Sequence, residues 1–327
     1  MSAKDLSILI PARNEEFLQK TIEDICTNIE ADTEVIVVLD GAWADPPVEQ
    51  HPRVNVIYLP ESIGQRAATN LACKLSQAKY VMKVDAHCSF DKGFDRKLIE
   101  DMQDDWTVVP VMQNLHAFDW VCKCGIRRYQ DKGSKCDCGK EAKKEMIWIP
   151  RKGTKNSSYC FDAEPHFQYF GEYSRRPEVR GKEMTESMSI QGSCFMITRE
   201  KYWELNICDE AFGSWGSQGI EVACKTWLSG GKIMINHKTW YAHMFRTKQQ
   251  FGFGFPYPQS DKQISGAKNV ARKLFYEGKW EKAKFPLSWL IERFLPISVK
   301  TKEGVEIGWT PEALAELKKL ESAHWTK

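Results

Sequence analysis

The fold of this chain is decided by a stretch that reads YVMKVDAHC from Tyr80 to Cys88. Its first residues form a short, mainly apolar run, a pattern typical of a buried strand. Directly after that run come Asp85 and His87, separated by one alanine. A carboxylate and an imidazole at this spacing can hold one divalent ion such as manganese. A solvated turn that merely contains Asp and His is the competing interpretation of these residues taken alone.

Similar apolar runs alternate with helical patterns on the N-terminal side of this stretch. Strands are predicted at residues 6–10, 35–39, 54–59 and 80–84. Helical spacing of apolar residues is found at 15–29 and 62–76. Because such alternation is typical of strand–helix units around a mainly parallel sheet, we expect an α/β fold. Ligands bind sheets of this kind outside the carboxyl ends of the strands.

Regular structure resumes beyond residue 190, with a strand predicted at 193–197 and a helix near Glu200. A glycine-rich turn at 213–219 opens a further helix, and a short strand at 232–235 follows it. The aromatic and glycine-rich segment at 249–258 is expected to be a loop.

Composition places the chain among ordinary globular proteins. Its 327 residues are 42% hydrophobic and 28% charged, which excludes a mostly disordered or fibrous chain. The net charge of +2 hides a basic segment at residues 116–182, where 15 Lys and Arg face 9 Asp and Glu. Such a segment suits a local surface for an anionic partner, and a solvated lysine-rich insertion is the alternative.

The number of cysteines and the N-terminal sequence predict the cellular compartment of the protein. The chain has 11 cysteines, an odd number. The apolar run before Pro11 is too short for a secretory signal or a membrane span. We therefore expect a protein with no membrane span in a reducing cytoplasm, which is the host cytoplasm if a phage encodes it.

The basic segment holds two matching cysteine knuckles, CKCG at residues 122–125 and CDCG at 136–139. Together they supply four thiolates, at Cys122, Cys124, Cys136 and Cys138. Sites of four sulfurs bind structural zinc and can order a segment that has little core of its own. Four free cysteines are the alternative, but free cysteine usually lies among apolar residues and these do not. The segment is therefore predicted to be a small zinc-binding insertion.

Residues 215–246 resemble the second half of the catalytic domain of the polypeptide N-acetylgalactosaminyltransferases. In that family a Trp-Gly turn opens a helix, a Trp and a Gly-Gly pair follow, and a strand leads to a His-x-Phe-Arg element. The matching residues here are Trp215, Gly216, Trp227, Gly230, Gly231, His243, Phe245 and Arg246. The family's Asp-x-His metal motif, followed by Cys, is similar to residues 85–88. Residues 7–11, with Asn14, Glu15 and Asp40, resemble the wider GT-A class of nucleotide-sugar glycosyltransferases.

This resemblance covers residues 4–110 and 190–275, and it implies a GT-A fold. That fold is a Rossmann-like, mainly parallel sheet flanked by helices. With the cysteine-rich segment the chain is expected to have four parts. They are a nucleotide-sugar-binding half at 1–115, the insertion at 116–182, an acceptor and catalytic half at 183–250, and a lid loop with a helical tail at 251–327.

The same resemblance implies the site residues. A Mn²⁺ ion, or Mg²⁺, would be held by Asp85, His87 and His243. The donor would be bound by Pro11, Arg13, Glu15, Asp40, Arg66, Asp85 and Arg246. Within that set, Asp40 would meet the uracil ring and Arg246 the phosphates. Catalytic contacts would come from Trp215, Gln218 and Glu221, and the segment at 249–258 would be a flexible lid.

The activity implied is metal-dependent transfer of a hexosyl or N-acetylhexosaminyl group from a UDP-sugar to an acceptor hydroxyl, with retention of configuration. Glu221 could act as a base if the enzyme inverts instead. Two departures affect the sugar contacts, since Gln218 stands where the family has an acid and Gly219 where it has Asn.

The acceptor is left open between a protein, a glycan and modified DNA. One alternative function is that of a phage-type DNA glycosyltransferase acting on hydroxymethylated pyrimidines. Another is that of a non-catalytic nucleotide-binding or zinc-ribbon adaptor.

Overall fold

The computed structural model describes residues 4–245, 257, 261–300 and 306–325 of the chain. The strands in chain order are β1 (Leu6–Ala12), β2 (Thr33–Asp40), β3 (Val54–Leu59), β4 (Tyr80–Val84), β5 (Cys88–Phe90), β6 (Trp106–Val121), β7 (Arg127–Tyr129), β8 (Lys143–Pro150), β9 (Tyr159–Phe161), β10 (Phe167–Tyr169), β11 (Met184–Glu186), β12 (Cys194–Thr198), β13 (Lys232–His243), β14 (Ser298–Lys300) and β15 (Glu306–Gly308). The α-helices are α1 (Leu18–Asn28), α2 (Gln65–Leu75), α3 (Phe94–Glu100), α4 (Arg199–Glu204), α5 (Gln218–Leu228), α6 (Asp261–Ala271), α7 (Leu287–Phe294) and α8 (Pro311–Trp325).

The main sheet has the strand order β11-β13-β6-β12-β4-β1-β2-β3. Strands β1 to β4 pair in parallel, and β12 lies antiparallel between β4 and β6. Strand β13 returns to a parallel pairing with β6. The α/β fold expected from the sequence is confirmed, and the strands predicted at 6–10, 35–39, 54–59, 80–84, 193–197 and 232–235 all fall on observed strands.

The centre of the sheet is buried on both faces. Every residue of β1 and β4, and nearly every residue of β2, is shielded from solvent. A strand covered on both faces requires apolar side chains at consecutive positions, which explains the unbroken apolar runs in the sequence. Since these strands run in parallel, their carboxyl ends lie at one edge of the sheet. Arg13, Asp40 and Asp85 each follow or end a strand at that edge.

Helices α1 and α2 cover the N-terminal half of the sheet. The buried residues of α1 recur at helical spacing, at Leu18, Thr21, Ile22 and Ile25. This is the apolar stripe that a helix presents to a sheet. The helices predicted at 15–29 and 62–76 are confirmed, with ends a few residues inside those limits.

The predicted insertion is continuous with the main sheet. Strand β6 runs without a break from Trp106 to Val121, so the limit expected at residue 116 falls within a strand. The second half of β6 pairs antiparallel with β7 and β8. The first half of β6 therefore belongs to the central sheet and the second half to the insertion.

The described C-terminal part contains helices α6, α7 and α8 and the short strands β14 and β15. Helix α7 packs on α5, and α8 packs on α7. The predicted lid at 249–258 lies outside the described residues except for Tyr257, and Arg246 is outside them too. Among the residues that are described, no helix combines the length and the apolar character that crossing a bilayer requires.

A buried ion pair joins α2 to α5. The Arg66 and Glu221 side chains are 2% and 0% exposed, and Arg66 Nε donates to Glu221 Oε2 at 3.1 Å. The guanidinium also donates to the carbonyl oxygens of Gly213 at 2.9 Å and Gly216 at 2.6 Å. The other Glu221 oxygen accepts a bond from Lys225 at 3.2 Å. These contacts fix the glycine-rich turn that precedes α5.

We expect the substitution Arg66→Met to lower the free energy of unfolding by about 3–5 kcal/mol, because it leaves the buried Glu221 carboxylate short of a partner. Urea denaturation followed by circular dichroism measures the change. Lys4→Met is the matched control, since Lys4 forms a 2.7 Å pair with Asp32 in which both side chains are more than 40% exposed. That control should cost less than about 1 kcal/mol. If Arg66→Met and Lys4→Met lower the free energy of unfolding by the same amount, the structural role of the buried pair is contradicted.

Candidate active site and cysteine cluster

Three side chains that are far apart in sequence form a potential metal site at the carboxyl edge of the sheet. Asp85 follows β4, His87 precedes β5, and His243 ends β13. Pairing of β13 with β5 sets His243 opposite Cys88 and so closes the cluster. Asp85 Oδ2 lies 3.2 Å from His243 Nε2 and 3.9 Å from His87 Nε2. The potential ligand atoms of all three residues lie within 4.8 Å of one another.

Further contacts hold this cluster in place. The other Asp85 oxygen, Oδ1, accepts bonds from the Lys83 ammonium and from Gln65 Nε2, the latter at 3.4 Å. His87 Nδ1 lies 3.2 Å from Glu15 Oε2. A carboxylate behind a histidine is the usual arrangement around metal-binding imidazoles, because it orients the ring. Glu15, predicted as a donor-binding residue, is therefore placed behind His87.

The ionisation of the cluster suits a cation. Burial, with the neighbouring His87 and Lys83, lowers the pKa of His243 to about 4 despite its bond to Asp85. Burial alone would raise the pKa of Asp85, but Lys83, the His243 bond and His87 together hold it well below its usual range. At neutral pH the cluster therefore offers a carboxylate and a neutral imidazole, as metal ligation requires. One oxygen and two nitrogens suit a borderline divalent ion, so the residues present fit manganese.

Asp40 is placed at the end of β2, where it organises the loop before α2. The carboxylate is fully buried and accepts bonds from the backbone nitrogens of Ile63 at 2.6 Å and Gly64 at 3.0 Å. Ser62 Oγ donates to it at 2.8 Å, and the Tyr257 hydroxyl at 2.9 Å. Asp40 is therefore engaged by its own loop and by Tyr257 in this structure.

The two other predicted donor residues near β1 differ in placement. Pro11 is buried within β1, where its register partner is Val38 on β2. Arg13 is half-buried just beyond the strand, and its buried Nε has no hydrogen-bond partner among the described residues. Its guanidinium carbon lies 5.8 Å from the centre of the Tyr257 ring. Arg13 therefore keeps a donor available at the edge of the sheet.

A cavity of about 550 Å³ adjoins the metal cluster. Its lining includes Lys83, Asp85, Gln191, Trp215 and Gln218. The structure thus brings two of the three predicted catalytic residues, Trp215 and Gln218, to the cavity beside Asp85.

Glu221, the third predicted catalytic residue, does not reach the cavity. It is 0% exposed, and both of its oxygens are bonded, one to Arg66 and the other to Lys225 and the Asp209 backbone nitrogen. Arg66, predicted to line the donor pocket, is buried in the same pair. The sequence could not place them, because their roles depend on a contact between residues 155 positions apart.

Gly219 has a structural reason to differ from the family's Asn. A Cβ atom at this position would lie 2.0 Å from the carbonyl oxygen of Ile190. No side chain fits at that distance, so the segment before β12 approaches the start of α5 more closely than an Asn would allow. The closer approach brings Gln191 and Gln218 into the wall of one cavity.

Lys83 is the residue of this site that sequence reasoning missed. A lysine inside the apolar run of β4 was visible in the sequence and is the signal that could have found it. A charged side chain in a buried strand requires compensation, and such positions are often functional.

The four cysteines of the two knuckles converge. Cys122 Sγ lies 3.5 Å from Cys138 Sγ, and Cys124 Sγ lies 3.5 Å from Cys136 Sγ. All four sulfurs lie within 4.8 Å of one another, which fits a single four-thiolate ion.

The two knuckles have the same backbone. Gly125 N donates to Cys122 O and Gly139 N to Cys136 O, each at 2.9 Å. Both glycines have positive φ, 89° and 80°, a conformation that other residues rarely adopt. The repeated Cys-x-Cys-Gly pattern is therefore explained by the turn each knuckle must make.

Comparison with known sequences identifies proteins that this chain is similar to. The family description Glycosyl transferase family 2 matches residues 7–136. The putative polypeptide N-acetylgalactosaminyltransferase 13 of Drosophila melanogaster is 25% identical over 290 residues, covering 81% of this chain and 46% of the relative. The polypeptide N-acetylgalactosaminyltransferase 6 of Bos taurus is 23% identical over 233 residues, covering 67% of this chain and 33% of the relative. This chain spans less than half the length of these two curated relatives.

Solved structures show the same fold. A crystal structure of GalNAc-T7 with UDP, GalNAc and Mn²⁺ aligns with 98% of this chain and 55% of its own, at a TM-score of 0.58 and 17% identity. The Staphylococcus aureus TarS fragment in complex with UDP-GlcNAc aligns with 98% of this chain and 73% of its own, at a TM-score of 0.51 and 11% identity. The chain therefore has a GT-A-type fold, and its sequence resembles those of the polypeptide N-acetylgalactosaminyltransferases.

Proposed function

We propose that this chain transfers a sugar from a UDP-sugar to an acceptor hydroxyl with the help of a divalent metal ion. The observation that carries the proposal is the cluster of Asp85, His87 and His243 beside a cavity of about 550 Å³. The solved neighbours support the donor class, since one was crystallised with UDP, GalNAc and Mn²⁺ and another with UDP-GlcNAc.

In this proposal Asp85, His87 and His243 would hold Mn²⁺ or Mg²⁺. When bound, the ion supplies positive charge that offsets the charge developing on the leaving diphosphate. Arg13, with its unpaired Nε, is proposed to bind the nucleotide part of the donor. Trp215 and Gln218 are proposed to orient the sugar, because both line the cavity next to Asp85.

We propose retention of configuration. An inverting transferase needs a carboxylate or another base beside the acceptor hydroxyl. Asp85 is the one carboxylate among the described residues that line the cavity, and Lys83, Gln65 and His243 already engage it. No described carboxylate of the lining is thus free to act as that base, and the one histidine among the described lining residues, His166, lies 3.3 Å from Asp162. This favours a retaining route.

The acceptor is proposed only as a hydroxyl group. Among the described residues we find no contact that favours modified DNA or a non-catalytic adaptor, so neither is proposed. The expected basic surface is partly used inside the protein, since Lys144 lies 2.5 Å from Glu16 and packs over Phe118. A cytoplasmic location stays a prediction from cysteine use.

Alanine at Asp85, His87 or His243 is expected to weaken Mn²⁺-dependent UDP binding by about 100-fold or more and to abolish transfer, because each change removes a metal ligand. Isothermal titration of UDP with and without MnCl₂ measures the effect. His237→Ala is the control, since His237 lies on β13 outside the cluster and bonds to Thr185. If the affinity for UDP is the same with and without Mn²⁺, and the same in the wild type and these variants, the metal assignment is wrong.

We also propose that Cys122, Cys124, Cys136 and Cys138 hold one structural zinc ion. Elemental analysis is expected to find about one zinc per chain, as a four-thiolate site requires. Cys138→Ser should lose that zinc and lower the melting temperature, whereas Cys26→Ser, half-exposed and remote in sequence, should keep it. Zinc-free wild-type protein with an unchanged melting temperature would rule the site out.

A further inference from the structure

Lys83 is an ammonium group inside the central sheet. Its side chain is 1% exposed, and it lies in β4, whose residues are all buried. Removing a charged group from water is costly unless charged and polar partners replace the water. Its partners therefore indicate why a lysine is present at this position.

Two partners of Lys83 are identified. Its Nζ donates to Asp85 Oδ1 and, at 2.9 Å, to the carbonyl oxygen of Gly192. A lysine ammonium has three donors. The side chain also lines the cavity next to the metal cluster. Among the described residues, one N–H group of Lys83 is therefore left for whatever occupies that cavity.

Lys225 carries the other fully buried ammonium group of the described chain, and all three of its donors have acceptors. Lys225 Nζ donates to Asn206 O at 2.7 Å and to Asp209 Oδ2 and Glu221 Oε1 at 3.2 Å each. It uses three acceptors and does not line the cavity. Lys83 has the same burial with one acceptor fewer, on the side of the cavity.

The charges around the cluster indicate which ligand completes it. Two carboxylates and one ammonium lie around the two histidines: Asp85 accepts a bond from Lys83, and Glu15 lies 3.2 Å from His87. A dication held there would turn the cluster from net negative to net positive. A cluster with net positive charge attracts an anion, and a nucleoside diphosphate is such a group.

We propose that Lys83 contacts the diphosphate of the donor as a second cation beside the metal, and that its charge makes metal binding depend on the nucleotide. This inference rests on the proposed function and adds a residue to it. Lys83 repels a bare dication at the cluster. Once the diphosphate is present, the ammonium and the dication attract the same group, so metal and nucleotide strengthen each other's binding.

The test is isothermal titration of Lys83→Met, which keeps an unbranched side chain, one atom shorter, and removes its charge. Mn²⁺ alone should bind the variant about three- to tenfold more tightly than wild type, because a like charge is gone. UDP in the presence of Mn²⁺ should bind about 10- to 100-fold more weakly, because a charged contact is lost. Opposite shifts are decisive, since a merely damaged site would weaken both.

Lys225→Met is the matched control, because it removes a buried ammonium that does not face the cavity. It is expected to lower the melting temperature and to leave both affinities within about twofold. Should Lys83→Met fail to fold, Lys83→Gln removes the charge while keeping a hydrogen-bond donor, and the same opposite shifts are expected.

The outcomes separate this inference from the proposed function. Suppose that UDP binding to wild type depends on Mn²⁺, but Lys83→Met leaves that UDP affinity unchanged or changes it in the same direction as the affinity for Mn²⁺ alone. The proposed role of Lys83 is then wrong, and the proposed metal site stands. Wild-type protein that binds UDP without regard to Mn²⁺ overturns the proposed function and the role of Lys83 with it.

Discussion

The site depends on the pairing of β13 with two strands at once. It runs parallel to β6 at both its first and its last residues, and its last residues also pair antiparallel with β5, which follows the Asp-x-His turn. The register with β6 shifts between Asn236 and Trp240, and the pairing with β5 begins just beyond that shift, at Tyr241. His243 and Asp85 are 158 positions apart in sequence, and this pairing brings their side chains together.

Buried charge does two different tasks in this molecule. Arg66 and Glu221 satisfy each other and the backbone of the turn before α5, so their pair is structural. Lys83 and Asp85 are also paired, but both line the cavity, and Asp85 turns its second oxygen to the histidines. The two pairs are chemically alike, and the difference lies in whether a ligand can reach them.

The insertion and the metal cluster share a core. Phe17, just after Glu15, stacks on Phe118 of β6 with ring centres 5.8 Å apart, and Cys122 and Ala242 belong to the same apolar cluster. Order at the cysteine cluster is therefore connected by packing to the segments that carry Glu15 and His243. The insertion is best regarded as an extension of the main sheet rather than a separate module.

The sequence by itself determined those features whose residues lie close together along the chain. Apolar runs predicted the strands, because a strand buried on both faces needs apolar residues throughout. The Asp-x-His turn and the two cysteine knuckles were also readable, since their residues lie within a few positions of one another. The tertiary structure decided the rest: that Glu221 pairs with Arg66, that β6 runs on into the insertion, and that Lys83 faces a cavity. These outcomes depend on contacts between distant segments, and the local pattern of a chain does not specify which distant segments will meet.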